Sequence, residues 1–369
     1  MLRHFDQKDG GVKVYTHSIL PRLLSLPSRH HFVLIYQDPK RLGTYPQYPN
    51  CEEIAVRIPG TVLWDQVAVP WVVRTRHLDM VFNPKITIPF LSGAKKAYVV
   101  HGAEKFAIPE HFQTFDRWYF ERMMPLYGQR ADAVVAVTNC VKADVVRHLH
   151  VDPKKVFVIY NGFDSALFHR KEDPAYLRKV AQRYQLPDRF ILWAGQIESR
   201  KNLPRLLQAF AKLRLVIPHH LVLAGAQRAN YTQELRAIRE LGLEDRILMP
   251  GWISHEDLAA LYSLAELFVF PSLHEGFGIP LVEAMACGCP IVAANTGSVP
   301  EVVDQAACLV DPLQPDEIAG GIQRVLADAT LRAELSAKGL ERAKIFSWDK
   351  TARQVLDMLD SLDELRHAA

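Results

Sequence analysis

No apolar run in the 369 residues approaches the ~20 that a membrane-spanning helix needs. The N-terminus also lacks an apolar stretch followed by a cleavage site. Integral membrane and secreted classes are not indicated, and a cytoplasmic protein is the expectation. Cysteine is scarce: Cys51, Cys140, Cys287, Cys289 and Cys308 are odd in number and contain no Cys-x-x-Cys, which speaks against a disulfide framework or a zinc site. No Asp-x-Asp pair occurs. No basic stretch interleaved with aromatics stands out, so nucleic acid is not an expected partner. Low-complexity tracts and solenoid repeats are absent too.

What is present is length and apolar content enough for two domains, with 49% hydrophobic residues to fill two cores. The net charge of +3 hides an asymmetry: residues 1–170 hold 22 Lys and Arg against 15 Asp and Glu, and the remainder 22 against 26. A basic half suits an acidic partner such as a phosphate-bearing acceptor or an anionic membrane surface, and equally suits plain solubility.

Strand-like and helix-like segments alternate along the whole chain, which argues for parallel sheets with helices on both faces. In the first half the strands are expected at His31 to Tyr36, Glu53 to Ile58, Asp79 to Phe82, Ala97 to His101, Ala133 to Val137 and Val156 to Ile159. Helical stretches fall near Val62 to Arg74, His111 to Tyr127 and Asn139 to His150. The opening run Met1 to Asp6 is too short and polar for a good first strand, while Gly10 and Gly11 precede an apolar-periodic helix that Pro21 should kink. Tyr160 to Asp164 is a turn cluster, and the polar segment Arg170 to Asp188 reads as a linker. In the second half, strands at Phe190 to Ala194, His220 to Ala224, Arg246 to Met249, Leu267 to Phe270, Pro290 to Ala293 and Cys308 to Val310 alternate with helices beginning near Leu203, Tyr231, His255, Pro280 and Asp316.

The densest information lies between Glu275 and Met285. The apolar strand Leu267 to Phe270 runs into Glu275-Gly276-Phe277-Gly278-Ile279-Pro280, and Pro280 fits a first helical turn. Gly276 and Gly278 let backbone approach a ligand, and the free N–H groups of a helix start suit an anion or a sugar hydroxyl. Glu275 then lies in the loop and Glu283 one turn into the helix, two carboxylates able to accept hydrogen bonds from vicinal hydroxyls. Plainer roles are available, Glu283 complementing the helix dipole and the glycines making a tight turn. A second cluster, Gly195-Gln196-Ile197-Glu198-Ser199-Arg200-Lys201-Asn202, follows the strand at Phe190. With Asn202 as a cap and Pro204 in the first turn, Arg200 and Lys201 sit at the positive end of a helix dipole, which is unfavourable unless an anion joins them. A phosphate site or a solvated basic pair satisfies that condition.

Glu275 and Glu283 at this spacing, with Gly276-Phe277-Gly278-x-Pro280 between them and Ala284-Met285-Ala286-Cys287-Gly288 after, resemble the signature of the family 4 retaining glycosyltransferases. The resemblance covers nearly the whole chain from Gly10. It implies a GT-B fold, two Rossmann-like doubly wound parallel-sheet domains facing across a cleft. The expected division is 1–170 for the acceptor-binding domain, 171–347 for the nucleotide-sugar donor domain, and 348–369 for a helix crossing back onto the first. It implies that Lys201 grips the donor diphosphate, with Gln196 standing where the family has arginine and Arg200 supplying the missing charge. Glu283 would meet the ribose, and Glu275 with the backbone of Gly276, Phe277, Gly278 and Ile279 the sugar. His101, by itself an ordinary structural histidine, would hydrogen-bond the donor sugar, and Gly10 and Gly11 would face the donor phosphates.

The activity so implied is transfer of a hexose from GDP-mannose or a UDP-sugar to a sugar or lipid-linked glycan, with retention and without a metal or other cofactor. The glutamate pair also fits a glycosidase, although a separate cationic site is more than a hydrolase needs. A GT-B epimerase or phosphorylase and a catalytically silent nucleotide-sugar-binding protein are the alternatives. The helix near His111 to Tyr127, with Phe112, Phe115, Trp118, Tyr119 and Phe120, suits core packing or a peripheral membrane contact.

Overall fold

The computed structural model describes residues 1–2, 10–108, 114–225 and 232–367. These divide into two compact units, Met1–Gly162 together with Trp348–Ala369, and Phe163–Ser347.

In the first unit the strands are β1 (Phe32–Tyr36), β2 (Cys51–Ala55), β3 (Met80–Asn83), β4 (Lys95–Val100), β5 (Ala133–Ala136) and β6 (Val156–Val158). β1 pairs with β2, and β3-β4-β5-β6 form a four-stranded sheet, all parallel. Met1 and Leu2 lie in the seam between the two sheets: the Leu2 N–H donates to the Ile35 carbonyl at 2.8 Å and the Met1 amine to the Phe82 carbonyl at 2.9 Å. Among the described residues no strand precedes β1, and the rest of the polar opening run lies outside them.

The helix Gly11–Ser25 continues through Pro21 and buries Tyr15, Ile19, Leu20, Leu23 and Leu24, an i, i+4, i+8 stripe with its neighbours. It packs on the helix Trp348–His367. The Tyr15 and Trp348 rings meet edge-on at 5.8 Å, Arg22 pairs with Asp349 at 3.0 Å, and Lys95 donates to the Leu362 carbonyl at 2.9 Å.

The second unit holds β7 (Phe190–Ala194), β8 (His220–Ala224), β9 (Ile247–Gly251), β10 (Leu267–Phe270), β11 (Ile291–Ala294) and β12 (Cys308–Val310) in the order β9-β8-β7-β10-β11-β12, all parallel. Every residue of β7, β10 and β11 is buried, as strands covered on both faces must be. The helix Leu203–Leu213 lays Leu203, Leu206, Leu207, Phe210 and Leu213 on this sheet; burying each contributes about 1.5–3 kcal/mol. The strand order reverses between β7 and β10, so the loops leaving those two strands part to opposite sides and open a crevice at their carboxyl ends.

The units divide after Gly162 and not at residue 170. Phe168 packs with its ring 6.0 Å from His255 and 6.3 Å from Tyr262, and the Lys171 N–H donates to Ser263 Oγ at 3.0 Å, so this segment is held by the second unit. The expected linker contains the helix Pro174–Arg183, started by Asp173, whose carboxylate accepts from the Ala175 N–H at 2.9 Å, and by Pro174 in its first turn. Three further α-helices, Glu104–Ala107, Val299–Val303 and Ala329–Ala343, were not expected from the sequence. The aromatic cluster at 112–120 lies outside the described residues in its side chains, although the helix Thr114–Arg130 is present.

Asp257 fastens the linker helix. Its buried carboxylate accepts from Tyr176 Oη at 3.2 Å, Tyr184 Oη at 2.8 Å and Arg183 at 2.5 Å. Asp257→Ala is expected to lower the urea midpoint clearly more than Arg183→Ala. The first change strands two hydroxyls, and the second removes a half-exposed ion pair of little worth. Equal midpoints for the two variants in a urea titration at constant slope would show that the carboxylate is not the fastener.

Candidate functional site

Three adjacent strands of the second unit end in glycine. Gly195 follows β7, Gly225 follows β8, and Gly251 closes β9. Their backbones pair across the strand ends, Gly195 N–H to the Ala224 carbonyl at 3.0 Å and Gly225 N–H to the Gly251 carbonyl at 2.9 Å. A Cβ on Gly225 would stand 1.7 Å from the Gly195 oxygen, so only glycine lets the two chains approach this closely.

Beyond Gly195 and the half-buried Gln196, the turn Ser199–Lys201 brings Arg200 and Lys201 to the crevice at the β7/β10 switch. Both meet Glu275, which comes from the loop after β10. Lys201 Nζ is 2.6 Å from one carboxylate oxygen and an Arg200 guanidinium nitrogen 2.7 Å from the other. Arg200 Nε also donates to Glu198 at 2.9 Å. Lys201 and Glu275 are each 6% exposed, and the ammonium lies 4.7 Å from the centre of the Phe270 ring, a cation–π contact that strengthens away from water. Burial alone would push the Glu275 carboxyl up, but Lys201 and Arg200 outweigh it and hold the group at about 2. Burial draws the Lys201 ammonium down, with the Glu275 carboxylate opposing it. The Glu275 carboxyl is therefore ionised at neutral pH.

Asn202 does not cap the helix Leu203–Leu213 as expected. It takes the left-handed conformation, φ 58°, without a side-chain capping bond. Its buried amide donates instead to the carbonyls of Pro271 at 3.1 Å and Pro312 at 2.6 Å. With the Leu273 N–H donating to the Arg200 carbonyl at 2.8 Å, it laces together the loops that follow β7, β10 and β12. The Glu275 peptide is held from the other side: Ser298 Oγ and N–H donate to its carbonyl at 2.8 and 3.2 Å.

After Glu275, Gly276 is buried, Phe277 packs edge-on against Phe346 at 5.4 Å, and Gly278 adopts φ 88° to enter the helix Ile279–Ala286, with Pro280 in its first turn. Left-handed backbone at Gly278 leads into this helix start, where Pro280 has no N–H to satisfy and the Leu281 N–H donates to the Gly278 carbonyl at 2.9 Å. Glu283 lies half-buried on this helix beside Tyr262. No ion pair joins it among the described residues, and burial pushes its carboxyl up to about 8.

The first unit collects the other expected residues. Gly10 and Gly11 open the helix Gly11–Ser25, both exposed, with nothing within 4 Å of a Cβ built on either. His101 follows β4. Its Nε2 lies 2.7 Å from the Pro84 carbonyl and its ring meets Tyr15 edge-on at 4.9 Å. Because a carbonyl can only accept, Nε2 carries the hydrogen and Nδ1 is left as an acceptor. Burial lowers its pKa to about 4, so the ring is neutral at physiological pH.

The second unit thus brings Gln196, Arg200, Lys201, Glu275, Gly276, Phe277, Gly278, Ile279 and Glu283 to one edge of one sheet, and the first unit places Gly10, Gly11 and His101 among its own elements. Sequence reasoning missed Glu198, Phe270, Asn202 as a lace, and Ser298. Of these only Ser298 carried a local signal, as the end of a Thr-Gly-Ser turn after β11.

A doubly wound sheet with this cluster at its switch point, accompanied by a second parallel-sheet unit, belongs to the GT-B glycosyltransferase class. The family models agree along the chain: Glycosyltransferase Family 4 matches residues 9–167 and Glycosyl transferases group 1 matches residues 178–342. The chain is 33% identical to O-antigen chain mannosyltransferase B of Escherichia coli over 292 residues, 78% of this chain and 75% of that one. It belongs to the group 1, family 4 glycosyltransferases. It is also 30% identical over 249 residues to the serotype-specific mannosyltransferase WbdA of Escherichia coli, covering 66% of this chain and spanning 30% of that protein's length. Among solved structures, Anabaena HepE in complex with UDP-glucose superposes with a TM-score of 0.76 at 23% identity, over 96% of this chain and 97% of that one. No helix among the described residues is long and apolar enough to cross a membrane.

Glu283 yields a pH prediction. Its folded-state value of about 8 lies above the ordinary 4.5, so the stability gained by keeping it protonated is complete below pH 4.5 and lost as the pH rises through 8. Glu283→Gln, which stays neutral, is expected to match the wild type near pH 4.5 and to exceed it increasingly up to pH 8. Parallel melting curves at every pH would contradict this environment for the carboxyl.

Proposed function

We propose that the protein is a retaining hexosyltransferase that takes its sugar from a nucleotide diphosphate donor and passes it to a sugar or lipid-linked glycan. The observation that carries the reading is the Lys201–Arg200–Glu275 cluster at the carboxyl ends of β7 and β10, where an α/β sheet of this order binds nucleotides. Two cations beside a row of strand-end glycines suit a diphosphate, whose growing charge on departure they stabilise without a metal ion. Glu283, with no cation to hold its charge, gains hydrogen-bond donors when ribose hydroxyls reach it. His101 accepts a sugar hydroxyl at Nδ1, a binding role and not a nucleophilic one. With no nucleophile assigned, retention follows from acceptor attack on the face the diphosphate leaves. The sequence Glu198-Ser199-Arg200-Lys201-Asn202 and the mannosyltransferase relatives favour GDP-mannose over a UDP-sugar.

The partner surface we infer lies on the first unit. Thr61–Leu63, Trp64–Ala68 and Val69–Thr75 form one helix with a π-type middle turn. Leu63, Val67 and Trp71, four residues apart, share an outer face with Val62, and all four are more than half exposed. Exposed Arg57 and Arg74 flank them. The apolar area is at most a few hundred Å², short of the ~800 Å² per partner of a stable protein interface. A tryptophan on an apolar stripe edged by arginine suits an anionic lipid surface.

Thermal melting with GDP, UDP and their mannose and glucose conjugates, with and without magnesium, tests the donor. One base is expected to raise the midpoint whether or not magnesium is present, and Lys201→Ala to abolish the rise. No stabilisation by any of them would overturn the reading. Release of free nucleoside diphosphate only when an acceptor is added separates transfer from epimerase, phosphorylase or silent binding. For the lipid surface, sedimentation with vesicles containing phosphatidylglycerol is expected to capture the wild type, and a Leu63→Ser, Trp71→Ser double variant to bind about tenfold more weakly. Equal capture of both, or capture by neutral vesicles, would remove that helix from consideration.

A further inference from the structure

We propose that Glu275 makes the site discriminate against bare nucleoside diphosphate. Its carboxylate holds Lys201 and Arg200 as a phosphate would, and only a donor bearing a sugar gives that carboxylate new partners when it is displaced. The inference rests on the donor reading above and adds a specificity role within it.

The geometry is that of an internal anion. The two carboxylate oxygens are taken by different cations, Lys201 at 2.6 Å and Arg200 at 2.7 Å, which is the two-point grip that cations give a phosphate. Glu198 occupies another edge of Arg200 at 2.9 Å. The two positive and two negative side chains of this cluster balance one another. The cations keep other partners when Glu275 moves: Lys201 is buried over the Phe270 ring, and the Arg200 guanidinium still holds Glu198 at 2.9 Å. The Glu275 backbone is fixed by Ser298. What remains free to change is the carboxylate's own rotamer.

A diphosphate reaching Lys201 and Arg200 must therefore push one buried anion aside with another, and like charges brought together without a new partner oppose binding. A nucleotide sugar offers hydroxyl groups, which donate charge-assisted hydrogen bonds to the displaced carboxylate and offset that repulsion. Once the sugar has left, the offset is gone. The carboxylate then competes again for its cations and loosens the nucleoside diphosphate that remains.

Titration calorimetry of the full chain with GDP, UDP, GDP-mannose and UDP-glucose, on the wild type and on Glu275→Gln, tests this. The variant is expected to bind the matching nucleoside diphosphate about tenfold or more tightly while its affinity for the nucleotide sugar stays level or falls. If both affinities fall together, Glu275 merely positions Lys201 and the inference is overturned. Glu275→Asp keeps the charge but draws it back by one methylene, and covers a Gln variant that does not fold. The same shift in smaller measure is expected, and an unchanged ratio of the two affinities overturns the inference. Failure of the wild type to bind any of the four ligands sinks the donor reading and this inference with it, whereas tight wild-type binding with an unshifted ratio sinks the inference alone.

Discussion

A buried ion pair between residues far apart in sequence, Lys201 and Glu275, is the contact on which the second unit's functional edge depends. Burying two charges is costly, and the attraction between them repays it only when geometry is tight and remaining bonding capacity is filled. Both conditions are met by the surroundings. The strand order sets β7 beside β10, Asn202 ties the loops by their carbonyls, Ser298 holds the Glu275 peptide, and Arg200 satisfies the second carboxylate oxygen. The supports come from two strands, the turn after β7 and the segment after β11, so the pair reports on the assembly of the whole sheet edge.

Two glutamates eight positions apart are driven to opposite states by these surroundings. Glu275 sits between two cations and stays ionised, and the stability it contributes is lost only as the pH falls from 4.5 towards 2. Glu283 sits among apolar groups and a tyrosine, and holds its proton up to about pH 8. One turn of loop and one turn of helix separate an anion from a neutral acid. Sequence spacing alone reports two carboxylates; their environments decide which of them carries charge.

The second sheet was readable in the sequence because its strands are uninterrupted apolar runs bounded by glycine and proline. β7, β8, β10 and β12 begin and end where the patterning placed them. The segment after Gly162 was not, because polar composition outweighed a legible helix start at Asp173 and Pro174. Its packing on Asp257 is a long-range contact that no local pattern reveals. The helix Ala329–Ala343 was passed over for a similar reason, its buried face being thin: Leu335, Gly339 and Ala343. At the functional edge the residue types were legible, whereas their pairing was not. Arg200 and Lys201 read as cations awaiting an anion, and the anion turned out to be Glu275 from a loop more than seventy residues away. Asn202 read as a cap because asparagine usually caps; its left-handed backbone follows from tertiary bonds to Pro271 and Pro312, which local chemistry does not contain.

The helix Trp348–His367 belongs to the first unit although it follows the second in sequence, so the whole of Phe163–Ser347 is an insertion in that unit's path. On the ribosome this fixes an order of events. The surface of the helix Gly11–Ser25 that receives Trp348 and Asp349 emerges early and stays uncovered while the inserted unit is made, about 10–40 s at ordinary elongation rates. The inserted unit is contiguous and can fold as soon as it emerges, ahead of the unit that begins before it. The first unit closes after it, on a helix delivered once the inserted unit has been made, and its apolar face is meanwhile open to chaperones.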